Sequence, residues 1–401
     1  MSLLAGCGGS DSSASSTTVK PTTAKSATLR VPGDQKTIQA AVDAAKPGDL
    51  ILVAPGTYTE AVTVETDRLT IRGEDRNTVI LNGNDTKENG FLVFSDGVVV
   101  ENLTVHNYRG NGVLFSGDYT AAEGAVLDGF RGSYLTAYNN GLYGVYAFAA
   151  KNGIFDHIYG SGNPDAAVYV GQCYPCNTVV TDSVGELNAV GFQGTNAGGD
   201  LYVVGNIWRS NRVGVESVSS TKERISPQRE ATIVANRIEN NNGAGAPKAT
   251  EAYGVGVAIS GGQGNRVSRN TISGHTIAGV IVTGAEQFLA ENNRVETNTL
   301  STNGTDLVYA TSDGAARGNC FAANTFTTSN PSTIEQALPC TGTASGGNGS
   351  IPPGTPPPQV DYRTMPAPGP QPTMPDATTA AVNPPKGPPK YPSLDDAKVP
   401  A

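Results

Sequence analysis

The chain has 401 residues, of which 16% are charged and 49 are glycine, and a formal net charge of −9. It carries no Lys/Arg run to neutralise phosphates, which argues against a nucleic-acid partner. No stretch approaches the roughly 18 apolar residues of a membrane-spanning helix. Three histidines (His106, His157, His275) lack ligand spacing and only three methionines occur, so no metal site and no cofactor are expected and copper handling is disfavoured.

In chain order, Leu4-Ala5-Gly6-Cys7 followed by small polar residues resembles a bacterial lipobox. That resemblance implies lipidation at Cys7 and an extracytoplasmic protein held to the bacterial cell membrane by a lipid anchor alone. The alternative is a chance Ala-Gly-Cys in a flexible terminus. Residues 8–27 are Ser/Thr-rich without periodicity, so 1–27 reads as lipobox remnant and tether. From Thr37, Ile38, Ala41, Val42 and Ala45 recur at helical spacing until Pro47-Gly48 stops them. A strand Leu50–Val53, a Pro55-Gly56 turn and the alternation Ala61–Val64 follow. The run from Thr37 to Glu60, Thr-Ile-Gln-x-Ala-x-x-x-Ala-x-x-Gly-Asp-x-Ile-x-Val-x-Pro-Gly-x-Tyr-x-Glu, resembles the opening of right-handed parallel β-helix proteins of the pectin-lyase-like kind. It implies that fold, with the helix capping the open end of the coil stack, and implies no particular activity.

The centre repeats itself. GVYAF at Gly144, AVYVG at Ala167, GFQGT at Gly191 and GVESV at Gly214 are spaced by 23, 24 and 23 residues, preceded by Asn140, Asn163, Asn188 and Asn211. A period of this length with short apolar strands predicts a strand solenoid, here a right-handed parallel β-helix over 28–340 with about 23 residues per coil. Gly112 begins the register 32 residues before Gly144, so about nine residues near 117–133 loop out. Gly256 lies 42 residues after Gly214, leaving either a larger insertion over 217–253 or an unrecognised coil plus loops. Regularity returns at Gly256, Gly279 and Asp306. A second row, Asn206, Asn236, Asn270, Asn298 and Asn324, each two residues before an apolar side chain, predicts coil-to-coil asparagine hydrogen bonds. Trp208 occupies an apolar slot in that row and reads as core rather than as a sugar platform.

With Cys7 set aside, the four remaining cysteines pair by arithmetic as Cys173–Cys176 and Cys320–Cys340, as suits an exported protein. Cys-Tyr-Pro-Cys also fits a redox pattern, but it leads into a strand rather than a helix and reads as a staple. Residues 341–401 hold 16 of the 26 prolines and read as an extended, disordered spacer.

Strict alternation along each strand turns the residues on both sides of an anchor inward and the anchors outward, as a bare glycine column on the surface. Its flanks would carry Asp165 and Arg212, about 10 Å apart on one side, and Tyr146, Tyr169, Gln193 and Glu216 on the other. Such a groove suits an extended sugar chain: tyrosines stack on ring faces and polar groups fix hydroxyls and carboxylates. The expected partner is thus a polysaccharide or cell-envelope glycan, bound by a monomer, with Tyr146, Tyr169 and Gln193 as ligand contacts. The alternatives are a polysaccharide lyase or uronic-acid epimerase using Asp165, Arg212 and Glu216 catalytically, and a non-catalytic interaction scaffold. The motifs that mark pectinesterases, polygalacturonases, epimerases and pectate lyases are absent. The whole chain is similar to bacterial exported right-handed β-helix repeat proteins.

Overall fold

The computed structural model describes residues 26–118, 125–247 and 251–401; Cys7 and the tether lie outside them. The chain winds as a parallel β-helix. One strand per coil joins an eleven-stranded sheet, from Val62–Val64 through Val145–Phe148, Ala166–Cys173, Val190–Ala197 and Val213–Val218 to Ser329–Asn330. The remaining coil strands form a twenty-stranded sheet that folds around the rest of the core. Every strand ladder is parallel, and parallel crossovers of this kind are right-handed.

The predicted cap is present. A helix spans Ile38–Ala44, with the Thr37 side chain accepting from the Ala40 N–H and Ile38, Ala41 and Val42 buried against the first coils. Glu60, the last residue of the resemblance, accepts from the N–H groups of Ile38 and Gln39, so that its charge sits on the helix N-terminus. The far end is capped by a short helix that the sequence did not announce. The short helix Ile334–Ala337 places Ile334, Ala337 and Leu338 in the core, and Glu335 accepts from the backbone and amide of Asn324. Both disulfides form, Cys173–Cys176 and Cys320–Cys340.

Interior asparagine ladders stitch the coils. Asn206, Asn236, Asn270 and Asn298 each donate Nδ2 to the Oδ1 of the next, ending at Asn324, at 2.9–3.0 Å. Asn140, Asn163, Asn188 and Asn211 form a like chain to Asn241, at 2.8–3.3 Å, along the corner that precedes the repeat blocks. There His275 takes the next rung: its Nε2 lies 3.0 Å from Asn241 Nδ2 and its Nδ1 lies 2.8 Å from Asn303 Oδ1. Trp208 is fully buried against Phe192, as expected.

The anchors correct the alternation argument. The ladder pairs Ala166 with Val190 and Val168 with Phe192, passing over Ala167 and Gly191, and does so again between 190–192 and 213–215. Each anchor therefore sits in a bulge where it and the next residue both face the core. A Cβ on Gly191, Gly214 or Gly256 would lie 2.5–2.6 Å from the next coil's carbonyl oxygen. Ala167 fits because Gly160 and Gly185, whose own Cβ atoms would strike it, face it across the core. The glycine column is interior, and the residues before it (Tyr143, Ala166, Val190, Val213) face out.

The 42-residue step holds one coil, with strands Ala231–Val234 and Arg237–Glu239, and two loops, 219–230 and 240–254. The proline-rich tail is extended, but it is packed rather than free. It starts at Tyr309, whose carbonyl accepts from Gly349, and passes Asn139 at Met365 and Asn77 at Gln371. Buried Arg72 then donates to the carbonyls of Ala377, Ala380 and Ala381. From there it turns back, packing Leu394, Ala397 and Val399 on Val204, Val234 and Ala235. The prolines remove backbone donors and regular structure; side chains of the solenoid supply the donors that hold the tail.

Candidate functional site

The outer face of the eleven-stranded sheet carries an apolar and aromatic band in which Tyr146 and Tyr169 were expected, whereas Tyr143, Val190 and Val213 were expected inward. Tyr143, Tyr146 and Tyr169 pack with ring centroids 4.6–4.7 Å apart, and Phe148 lies against Tyr146 at 5.6 Å. Towards the C-terminal coils the band continues through Val190, Val213, Val255, Ala278 and Ile281. In register with Tyr146 and Tyr169 stand Gln193 and Glu216, one per coil. Neighbouring coils are about 4.8 Å apart, so this column runs along the solenoid axis.

The two loops of the long coil wall this face. Loop 219–230 closes one side: Glu223 accepts from Gln172 at 2.7 Å, Asn196 at 3.1 Å and the Tyr169 hydroxyl at 3.3 Å. Residues 240–247 and 251–254 close the other, tied down by Gly243 N–H to the Asn211 carbonyl and Gly254 N–H to the Arg212 carbonyl. Between Tyr253 on that wall, the tail at Ile351–Gly354 and the sheet lies a cavity of about 270 Å³. Val213, Val255, Ala258, Ile277 and Ile281 line it, with Glu216 and Glu251 as its charged groups.

The electrostatics of the face are acidic and poorly solvated. Burial pushes Asp165 up to about 6, partly offset by a hydrogen bond from Tyr143, and its Oδ1 is buried without a hydrogen-bond partner. Glu216 is raised by burial and by the charge of Asp165, against the opposing hydrogen bond from Gln193. Glu223 is raised by burial despite three side-chain donors. Tyr143 is held far above the usual phenol range by burial and by Asp165, so it keeps its proton and is not a base.

Of the residues expected at the site, Tyr146, Gln193, Glu216 and Asp165 do belong to this face. Gln193 Nε2 donates to Glu216 Oε2 at 2.9 Å. Tyr169 also faces outward, but at 3% exposure under Glu223 it offers no stacking surface. Arg212 departs most from expectation. It is fully buried under loop 240–254, its Nε donating to the Ala252 carbonyl at 3.3 Å, so it does not stand in the groove beside Glu216 to neutralise a substrate carboxylate. Tyr143, Glu223 and Tyr253 were missed: the first because alternation turned it inward, the others because they sit on insertions whose course a repeat does not fix.

No protein-family model matches the sequence, and no curated protein is similar to it. Among solved structures the chain is similar to the Azotobacter vinelandii mannuronan C-5 epimerase AlgE4 A-module, at 17% identity and a TM-score of 0.49, covering 72% of this chain and 90% of that one. It is also similar to pectate lyase Pel9A, at 15% identity and TM-score 0.47, covering 77% and 80%. An alginate lyase from Paenibacillus sp. str. FPU-7 gives 12% and 0.41, covering 75% and 99%.

Proposed function

We propose that this protein binds a polysaccharide chain along the outer face of the eleven-stranded sheet, between the 219–230 and 240–254 walls. The observation that carries the reading is the outward column of Tyr146, Gln193 and Glu216, one residue per coil, leading into the cavity at Glu216. An extended, repeating ligand matches an extended, repeating surface, and apolar ring faces pack on tyrosine while amide and carboxylate fix hydroxyls. Tyr146→Ala should weaken retention on the polysaccharides that hold the wild type; unchanged retention across the panel would remove the groove from consideration.

A second reading, proton-transfer catalysis such as a lyase or epimerase performs, is favoured by Asp165. A carboxyl held near about 6 is matched to base duty near neutral pH, and the neighbouring Tyr143 phenol, which keeps its proton, donates a hydrogen bond to it. Asp165→Asn would then abolish the ultraviolet absorbance of unsaturated products formed from a susceptible polymer, whereas Arg212→Ala, buried in the wall, would act only through stability. The proposal extends to location, with the protein exported and anchored at Cys7. The two disulfides support an oxidising compartment. Cys7→Ser should release the protein from membranes, and persistent membrane fractionation would refute the anchor.

A further inference from the structure

The proline-rich tail closes the C-terminal half of the groove. In register after Glu216 the outward column continues through Ala258, Ile281 and Val308. Here the column is shut off from solvent: Ile281 is 4% exposed and Val308 0%. The tail crosses at this place. Gly349 N–H bonds the Tyr309 carbonyl, next to Val308, and Ile351, Pro352 and Gly354 line the cavity together with Ala258 and Ile281. Further on, the tail reaches the wall, where a Cβ on Gly243 would lie 3.0 Å from Pro357 Cγ and 2.9 Å from Arg212 Cγ.

The attachment of this stretch differs from that of the rest of the tail. Both ends are tied: Asn330 Nδ2 donates to the Ser350 carbonyl at 3.0 Å, and Asn139 Nδ2 to the Met365 carbonyl at 2.9 Å. Between them, among the described residues, no hydrogen bond joins 351–362 to the solenoid. Five of these twelve residues are prolines, at 352, 353 and 356–358, and have no N–H to donate. Apolar contact is what holds the segment down, and Ile351, its bulkiest aliphatic side chain, is 46% exposed. The closed arrangement also strands donors. The Tyr253 hydroxyl, against which Gly354 packs, is buried with no hydrogen-bond partner, as are both terminal nitrogens of Arg212. Glu251 favours the Arg212 charge without closing those bonds. Buried donors in this condition cost free energy, and lifting the segment admits water to this edge.

Resting on the polysaccharide reading above, we infer that Ile351–Tyr362 is a strap, hinged at Ser350 and Met365, that lifts to let a polysaccharide chain extend over Ala258, Ile281 and Val308. Closed, it confines the chain to the coils up to Glu216. The apparent affinity for a longer chain is lowered by the fraction of molecules that are closed. Because both ends stay bonded, the strap moves without unthreading the rest of the tail.

Two variants move the strap in opposite directions. A disulfide between Gly354→Cys and Ile277→Cys pins it: a Cβ on Gly354 would lie 2.5 Å from Ile277 Cδ1, which brings the Ile277 Cβ within a bridge's reach. Tyr253→Phe accompanies the pair, since that Cβ would otherwise meet the Tyr253 hydroxyl. Replacing 351–358 by a Gly/Ser sequence of equal length keeps both ends and removes the apolar hold. Binding is read by calorimetry on the full chain with polygalacturonate, xylan and chitosan. Strap motion is read by the rate at which N-ethylmaleimide modifies Ile281→Cys. The pinned form should bind about tenfold more weakly than the two single-cysteine forms, which lack the bridge, and the Gly/Ser form more tightly than the wild type. Ile281→Cys should react about tenfold faster under the Gly/Ser strap. Thermal unfolding of each variant separates lost binding from lost fold. Equal binding by pinned and unpinned forms would overturn the strap and leave the polysaccharide reading standing. If none of the three polymers binds any form, the polysaccharide reading falls, and reaction of Ile281→Cys at one rate under both straps would bring down the strap with it.

Discussion

Single residues decide how this solenoid closes. The anchor glycines are required by contact: at Gly214 a Cβ would lie 2.5 Å from Ile238 Cγ2 and 2.6 Å from the Gly256 oxygen. Gly214→Ala should therefore cost about 1–3 kcal/mol in urea unfolding, as overpacked cores do, whereas Gly369→Ala, with nothing nearby, should be neutral. His275 is a second test. Burial pushes it down to about 4 from the ordinary value of 6.5. On acidification the unfolded chain takes up this proton first, so the stability present above the ordinary value is lost as pH falls from there towards the folded value. The loss from this residue approaches about 3 kcal/mol. His275→Asn, which continues the ladder with an amide, should flatten that part of the stability–pH curve; an unchanged slope would contradict the assignment. The residue scale is also where reading the sequence went astray. Val145, Val168 and Phe192 are inward as period 2 requires, but the bulge at each anchor breaks the period by one. It therefore misplaces Tyr143 and the glycines together. Nothing local in Gly-Val distinguishes a bulge from a regular strand, because the cause is the next coil's carbonyl.

Whole elements follow from signals of unequal strength. The capping helix was legible because Thr37, the Ile38/Ala41/Val42 spacing and Pro47-Gly48 are local features, and the Asn206–Asn324 row because each rung repeats the same residue. The tail was legible only in its lack of regular structure. Its attachment depends on Arg72, about 300 residues away in sequence, which is 2% exposed and paired with Glu101 at 2.6 Å. Arg72→Met would leave Glu101 buried without its charge partner and the three tail carbonyls without a donor. We expect a loss of about 3–5 kcal/mol in unfolding stability, together with faster hydrogen exchange at Thr379 and Ala380, whose N–H groups bond Asp376. Normal stability in that variant would mean the tail contributes nothing to the solenoid. The Cys320–Cys340 bridge spans 20 residues at the C-terminal cap, and replacing both cysteines by serine should cost about 3 kcal/mol.

At the scale of the whole molecule, the repeat fixes an axis and the insertions choose a face. Both loops of the coil between Gly214 and Gly256 rise beside the eleven-stranded sheet, and the tail segment Ile351–Gly354 crosses near the same place. The site residues legible in advance were Tyr146, Gln193 and Glu216, on strands, and Asp165, one residue before the strand Ala166–Cys173. Their register follows from the period, whereas the covering of Tyr169 by Glu223 and the sequestration of Arg212 follow from loop paths that no period encodes. The central claim is that a polysaccharide lies along this face, and hydroxyl-radical footprinting with the most strongly retained polysaccharide tests it most directly. Bound ligand should reduce oxidation at Tyr143, Tyr146 and Phe148 and leave Tyr138, on the twenty-stranded sheet, unchanged. Protection at Tyr138 with none at the Tyr143–Phe148 cluster would contradict it.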